Sequence, residues 1–183
     1  MKKILIVGNG GREHAIAQSI AKHNPQAELL FCQDCAIPYL LPQARLVLGS
    51  PLEVARQEAV DLVIVGPEAP LVGGLADELD AAGITVFGPP LAAARLEGSK
   101  SYAKEFMRQY DVRTANYEVF TDPIAALSYL EQQEQFPVVL KADGLAGGKG
   151  VLICEQPETA RAGVRSLMQD KIFQDAGATV VIE

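Results

Sequence analysis

The sequence predicts an α/β chain: a parallel sheet covered by helices on both faces, followed by a second α+β module. Three observations carry this prediction. Ile4–Val7, Leu29–Cys32, Leu62–Val65 and Ile84–Phe87 are short, continuously apolar runs separated by helix-like stretches. Strands buried on both faces of a parallel sheet read this way. After Pro90 the repeat stops, and further on Val138–Leu140 leads through a loop with four glycines into the apolar run Val151–Ile153.

Taken in order, Ile4–Val7 is the first strand, and its apolar part is too short for a signal peptide. The turn Gly8-Asn9-Gly10-Gly11 precedes a helix over Glu13–Lys22, which Asn24-Pro25 stops. Leu29–Cys32 is the second strand. A helix over Leu52–Ala59, the strand Leu62–Val65, a helix over Leu71–Ala82 ended by Gly83, and the strand Ile84–Phe87 complete the repeat. Leu91–Leu96 forms a short helix broken at Gly98, and Ser99 caps a new helix to about Tyr110.

The second module begins near Val112. Tyr117–Phe120 reads as a strand, Asp122-Pro123 opens a helix to about Gln132, and Phe136-Pro137 leads into the glycine-rich hairpin. Gln156-Pro157 starts a helix reaching about Met168, and Thr179–Ile182 is a β-branched strand just before Glu183. A module that stops on a strand reads as interrupted.

Composition sets limits on function. Sixteen basic against 23 acidic residues give a net charge of −7, which disfavours nucleic-acid or anionic-membrane binding through bulk charge. No run is long and apolar enough to span a bilayer, and a cytoplasmic protein is expected. An anionic ligand must then be held by a local positive site. Three cysteines, Cys32, Cys35 and Cys154, do not make a disulfide framework. Cys32 and Cys35 have C-x-x-C spacing, but no second pair follows to complete a zinc site, and incidental thiols at a strand end are the expectation. No metal ligands are assigned.

The segment richest in chemistry is Lys141-Ala142-Asp143-Gly144-Leu145-Ala146-Gly147-Gly148-Lys149-Gly150. Glycines let main-chain N–H groups turn inward and approach an anion, and Lys141 and Lys149 add charge where those donors converge. A polyphosphate suits such a loop. It is not a Walker sequence, because Gly150 stands where a hydroxyl residue is required, and it enters a strand instead of a helix. The competing explanation is a turn whose glycines serve only the hairpin.

Lys100 and Lys104 share one face of their helix, and Lys100 lies in its first turn, where the dipole disfavours a cation unless an anion is near. An anion-binding helix start and a solvated basic face both fit this spacing. Ligands of open parallel sheets sit beyond the carboxyl ends of the strands. Here those ends are Gly8–His14, Gln33-Asp34, Gly66–Pro70 and Gly88–Pro90. A dinucleotide fingerprint starting at Gly8 and Gly10 would need glycine at 13, where Glu13 obstructs close packing and repels pyrophosphate. Asp34 stands near the place of a ribose-binding acid, so a nicotinamide site stays open as an alternative.

Five segments in order resemble the N-terminal part of the phosphoribosylamine–glycine ligase (glycinamide ribonucleotide synthetase) family of the ATP-grasp superfamily. They are Gly8–Ala15, Val65–Val72, Phe87–Pro89, Leu96–Lys100 and Lys141–Val151. The resemblance implies a Rossmann-like pre-ATP-grasp substrate domain over 1–98. The start of the ATP-grasp domain would occupy 99–183 as an incomplete α+β lid subdomain bearing the glycine-rich hairpin.

The resemblance also implies an activity. ATP converts the glycine carboxylate to an acyl phosphate, and the amine of phosphoribosylamine attacks it to form an amide, in de novo purine biosynthesis. Lys100 and Lys141 would contact the nucleotide phosphates, the loop with Gly144, Gly147, Gly148, Lys149 and Gly150 would close over them, and Glu183 would begin the adenine-binding linker. Asn9, Gly10, Gly11, Pro67 and Glu68 would line the substrate side. No catalytic residue is assigned.

Two departures matter. The family carries a Pro-Gly-Asn-Ala-Gly turn after its second strand, where this chain has Gln33–Pro38. Family members are also more than twice this length, so the magnesium ligands and the remaining adenine pocket are expected in a C-terminal half beyond Glu183. The 183 residues alone are expected to lack ligase activity. Another ATP-grasp carboxylate–amine ligase and a non-catalytic nucleotide- or phosphosugar-binding module remain alternatives.

Overall fold

The computed structural model describes residues 2–32, 41, 43–147, 149–170 and 172–183, in two compact units, 1–94 and 95–183. In the first unit five parallel strands lie in the order β3-β2-β1-β4-β5. They are β1 (Lys3–Val7), β2 (Glu28–Cys32), β3 (Ala44–Val47), β4 (Leu62–Val65) and β5 (Val86–Phe87). Side chains alternate between the faces, as the period of a strand requires. Ile4, Ile6, Leu29, Phe31 and Ile64 pack with Ala17, Ile16 and Ile20 of α1 (Gly11–His23). Leu5, Val7, Leu30, Val63 and Val65 pack on the other face with Val54 of α2 (Pro51–Gln57), Leu71 of α3 (Glu68–Val72) and Leu79 of α4 (Leu75–Ala81).

Three expectations need correction here. Ala44–Val47 is an edge strand that the sequence did not suggest, because the charged Arg45 interrupts its short apolar run; Arg45 instead bridges Glu28 Oε1 and Glu58 Oε2, at 2.8 and 2.5 Å. The single helix expected over Leu71–Ala82 is two helices, with Gly73 capping the first and Gly74, at φ +88°, opening the second. The last strand is two residues long instead of four. Ser50 caps α2 by accepting from the Glu53 N–H, while Glu53 accepts from the Ser50 N–H, and Pro51 occupies the first helical turn.

The second unit holds a four-stranded antiparallel sheet in the order β6-β9-β7-β8, from β6 (Glu118–Phe120), β7 (Val138–Ala142), β8 (Val151–Cys154) and β9 (Val180–Ile182). β7 and β8 form the hairpin around the glycine loop, with Leu140 opposite Leu152 and Lys141 opposite Val151. Along β7, Val138, Leu140 and Ala142 are buried, which turns Val139 and Lys141 to the opposite face. The buried set packs with Ala126 and Leu130 of α7 (Pro123–Glu131), and with Ala160 and Val164 of α8 (Pro157–Val164). The chain between the units passes through α5 (Leu91–Gly98) to α6 (Lys100–Gln109). Among the described residues, no helix is long and apolar enough to cross a membrane.

Candidate functional site

In the first unit, β1 lies between β2 and β4, so the chain order reverses at the β1/β4 boundary. A crevice at the carboxyl ends opens at such a switch point, and the loops that flank it are Gly8–Gly11 and Gly66–Glu68. They are joined through Glu13, which is only 4% exposed. Its Oε2 accepts from the Gly10 N–H at 2.6 Å. A Cβ at Gly66 would lie 2.1 Å from Glu13 Oε1, and one at Gly8 (φ +115°) would lie 2.7 Å from Glu13 Cγ.

Glu13 therefore fills the volume that the glycines leave, in the position where a dinucleotide fingerprint has its third glycine. The Gly10 N–H is consequently engaged within the turn. Gly11, the first residue of α1, has open space where a side chain would stand. Arg12, which the sequence analysis did not single out, donates through Nη1 to the Gly66 carbonyl and stands 3.8 Å from Glu68 Oε2. Asn9, Gly10, Gly11, Pro67 and Glu68 thus all lie on these two loops. Asp34, Cys35 and the altered turn after β2 lie outside the described residues.

In the second unit, Glu183 pairs through its main chain with Val139, which places its side chain diagonal to Lys141 on the same face of the sheet. Lys141 Nζ donates to Glu183 Oε2 at 2.7 Å, and Lys104 Nζ of α6 lies 2.7 Å from Glu183 Oε1. Lys104 also donates to Thr114 Oγ1 at 2.6 Å and stands 5.3 Å from the centre of the Tyr117 ring. It is 7% exposed. The solvated basic face is thereby corrected for Lys104, which is buried against the half-buried Thr114, Tyr117 and Glu183. The signal that could have found it is a lysine amid a helix whose next turns carry Phe106 and Met107, opposite an acid ending an apolar strand.

Lys100 stands at the first turn of α6. Its Nζ donates to the Gly144 carbonyl at 3.1 Å, at the base of the glycine loop. Burial pushes its ammonium below the ordinary lysine range, Asp143 pulls it back up, and Lys141 pushes it further down. An added anion would relieve both unfavourable effects. For Glu183, burial acts upward but the two lysines outweigh it, holding the carboxyl below its usual range.

Lys100 stands beside Asp143, Glu97 and Lys141, and Lys141 shares Glu183 with Lys104, so three ammonium groups gathered near the loop stem are balanced by three carboxylates in a chain of net −7. Gly147 takes φ +56°, and Lys149 is exposed, its N–H donating to the Ala146 carbonyl. A Cβ at Gly150 would lie 2.6 Å from that of Ala146. Gly148 lies outside the described residues. Among the described residues, no group of three or more His, Cys, Asp or Glu is placed to hold a metal ion. Cys32 and Cys154 are buried, and burial pushes the Cys154 thiol up.

A doubly wound parallel sheet followed in sequence by an antiparallel sheet with a glycine hairpin places the chain with the ATP-grasp enzymes. The biotin carboxylase domain of Hydrogenobacter thermophilus 2-oxoglutarate carboxylase shares this architecture with a TM-score of 0.75 over 100% of this chain and 44% of its own, at 19% identity, a likeness of fold. More particularly, the chain belongs to the phosphoribosylglycinamide synthetase family. The family's N domain matches residues 2–97 and its ATP-grasp (A) domain matches residues 98–183. Phosphoribosylamine–glycine ligase from Escherichia coli O6:H1 is 45% identical over 99% of the chain, and that of Allochromatium vinosum is 47% identical. The crystal structure of the Thermotoga maritima ligase is similar with a TM-score of 0.77 at 31% identity, over 99% of this chain and 43% of that one. The chain spans 43% of the length of the Escherichia coli relative.

Proposed function

We propose that the chain is the N-terminal portion of an ATP-dependent ligase joining glycine to phosphoribosylamine, a step of purine biosynthesis in the cytoplasm. The observation that carries this is the pair Lys100 and Lys141 at the stem of the glycine loop, with Lys104 joined to Lys141 through Glu183. Lys104 is buried and Lys100 and Lys141 are half-buried, their ammonium groups held by Glu183 and by the Gly144 carbonyl. This arrangement suits a polyphosphate, because positioned charges need little reorganisation when the anion arrives. Lys100 and Lys141 contact the phosphates in this account, and Gly144, Gly147, Lys149 and Gly150 provide the covering main chain and charge. Glu183 takes part by fixing Lys104 and Lys141.

A glycine carboxylate oxygen attacks the γ-phosphorus and ADP leaves. The amine then attacks the acyl carbonyl and phosphate leaves. Covering the acyl phosphate excludes water that would hydrolyse it. None of the described residues is assigned to magnesium; held by residues elsewhere in the full-length enzyme, it would supply neutralisation of the charge on the phosphates. In the 1–98 domain, Asn9, Gly11 and Arg12 hold the sugar phosphate, while Pro67 and Glu68 line the same crevice. Gly10 contributes through the shape of its turn.

The test is a chimera in which these 183 residues are followed by the remaining segment of the Escherichia coli relative. Stoichiometric amide, ADP and phosphate from glycine, phosphoribosylamine and MgATP are expected, with no product from the 183 residues alone. A chimera that folds and hydrolyses ATP but uses another amine would point to a different ligase of the class. Phosphosugar binding with no response to ATP would point to a non-catalytic module.

A further inference from the structure

Asp143 lies outside the phosphate-binding set, yet it makes the densest group of polar contacts in the second unit's site. Its Oδ1 accepts the Ser101 N–H at 2.5 Å and the Ser99 hydroxyl at 3.2 Å, with Oδ2 3.1 Å from the same hydroxyl. Ser99 Oγ in turn accepts the Tyr102 N–H at 3.1 Å. Two of the four N–H groups that open α6 are therefore satisfied by one serine and by a carboxylate 42 residues away in sequence.

The main chain around Asp143 is fastened as well. The Lys100 N–H donates to the Asp143 carbonyl at 3.2 Å, the Asp143 N–H donates to the Thr179 carbonyl at 3.0 Å, and Lys100 Nζ donates to the Gly144 carbonyl. At Gly144 a Cβ would stand 2.9 Å from that of Ala176, so only glycine lets the chain approach so closely there. From Leu145 onward the pattern changes: Leu145 and Lys149 are exposed, and Gly147 adopts a left-handed conformation. The tied stem ends where the exposed stretch begins.

We propose that Asp143 is a positioning residue: it pins the stem of the glycine loop to the first turn of α6 and so fixes where Lys100 and the following loop stand. Charge and geometry act together. A carboxylate at a helix N-terminus is favourable and offsets the unfavourable placement of Lys100 in that same turn. Aspartate has the reach and the paired acceptors to serve Ser99 and Ser101 at once. The significance for ligation rests on the proposed function; the pinning itself does not.

Trypsin cleavage at Lys149, followed by mass spectrometry without nucleotide, tests the pinning. Asp143→Ala should speed cleavage there about tenfold, the increase in opening expected on losing a helix cap, with smaller changes at the other tryptic sites and a thermal midpoint lowered by a few degrees. Asp143→Asn, which can still accept from Ser101 and meet Ser99, should restore most of the protection. Wild-type cleavage in Asp143→Ala, or equal acceleration at every tryptic site in both variants, would overturn the proposal. A parallel run of the full-length chimera with MgATP separates the two ideas. Absence of nucleotide protection counts against the proposed function and leaves the comparison among the nucleotide-free variants intact.

Discussion

Glu13 and the glycines around it show chemistry that the sequence shows only in part. In sequence, a carboxylate at 13 reads only as an obstruction that spoils a dinucleotide fingerprint; in the fold it is a buried plug that joins two loops. Gly66→Ala would set a methyl 2.1 Å from Glu13 Oε1. Such overpacking should cost about 1–3 kcal/mol, read as a lower midpoint in urea unfolding followed by circular dichroism. Glu183 gives a second prediction. Its folded carboxyl lies below its ordinary value of 4.5, so its stabilisation is present above that pH and is lost as pH falls through the folded value. The stability difference between wild type and Glu183→Gln should therefore be largest near neutrality and shrink below about pH 4.5. A difference that is independent of pH would remove the ion pairs from the account. Lys104 was the residue least legible in the sequence, since its partners, Thr114 and Glu183, are brought to it only by the fold.

At the scale of elements, strands that are apolar on both faces could be read directly, and the glycine hairpin was evident from two apolar runs around a loop. What escaped were elements whose identity depends on position. β3 is recognisable as a strand only once β2 lies beside it, and Gly73-Gly74 divides a helix that apolar periodicity would carry straight through. β7 combines both kinds of information, with Leu140 fully buried and Lys141 on the opposite face. Leu140→Ala should destabilise the second unit by about 2–5 kcal/mol. Lys141→Ala should have a much smaller effect on stability, since Lys141 is partly exposed. Comparable losses in thermal unfolding would contradict this division of the strand.

For the whole molecule, each unit has its own apolar core, built around Leu5, Leu30 and Ile6 in one and around Leu140, Leu167 and Ile182 in the other. The sequence placed the boundary at 98/99, the compact units divide at 94/95, and the family matches change at 97/98; all fall within or at the end of α5. Residues 1–97 produced alone should thus unfold cooperatively on heating, and a featureless circular dichroism spectrum would show that this core does not suffice.

In the proposed function Lys141, beside Lys100 and the glycine loop, serves a polyphosphate. Calorimetric titration of the full-length chimera with MgATP, with wild-type Lys141 against Lys141→Ala, tests it most directly. Heat of binding in the wild type and an affinity at least about tenfold weaker in the variant, the size of one lost charge-assisted contact, is the predicted result. MgATP binding that is identical in the two proteins, or absent from a folded wild type, would contradict it.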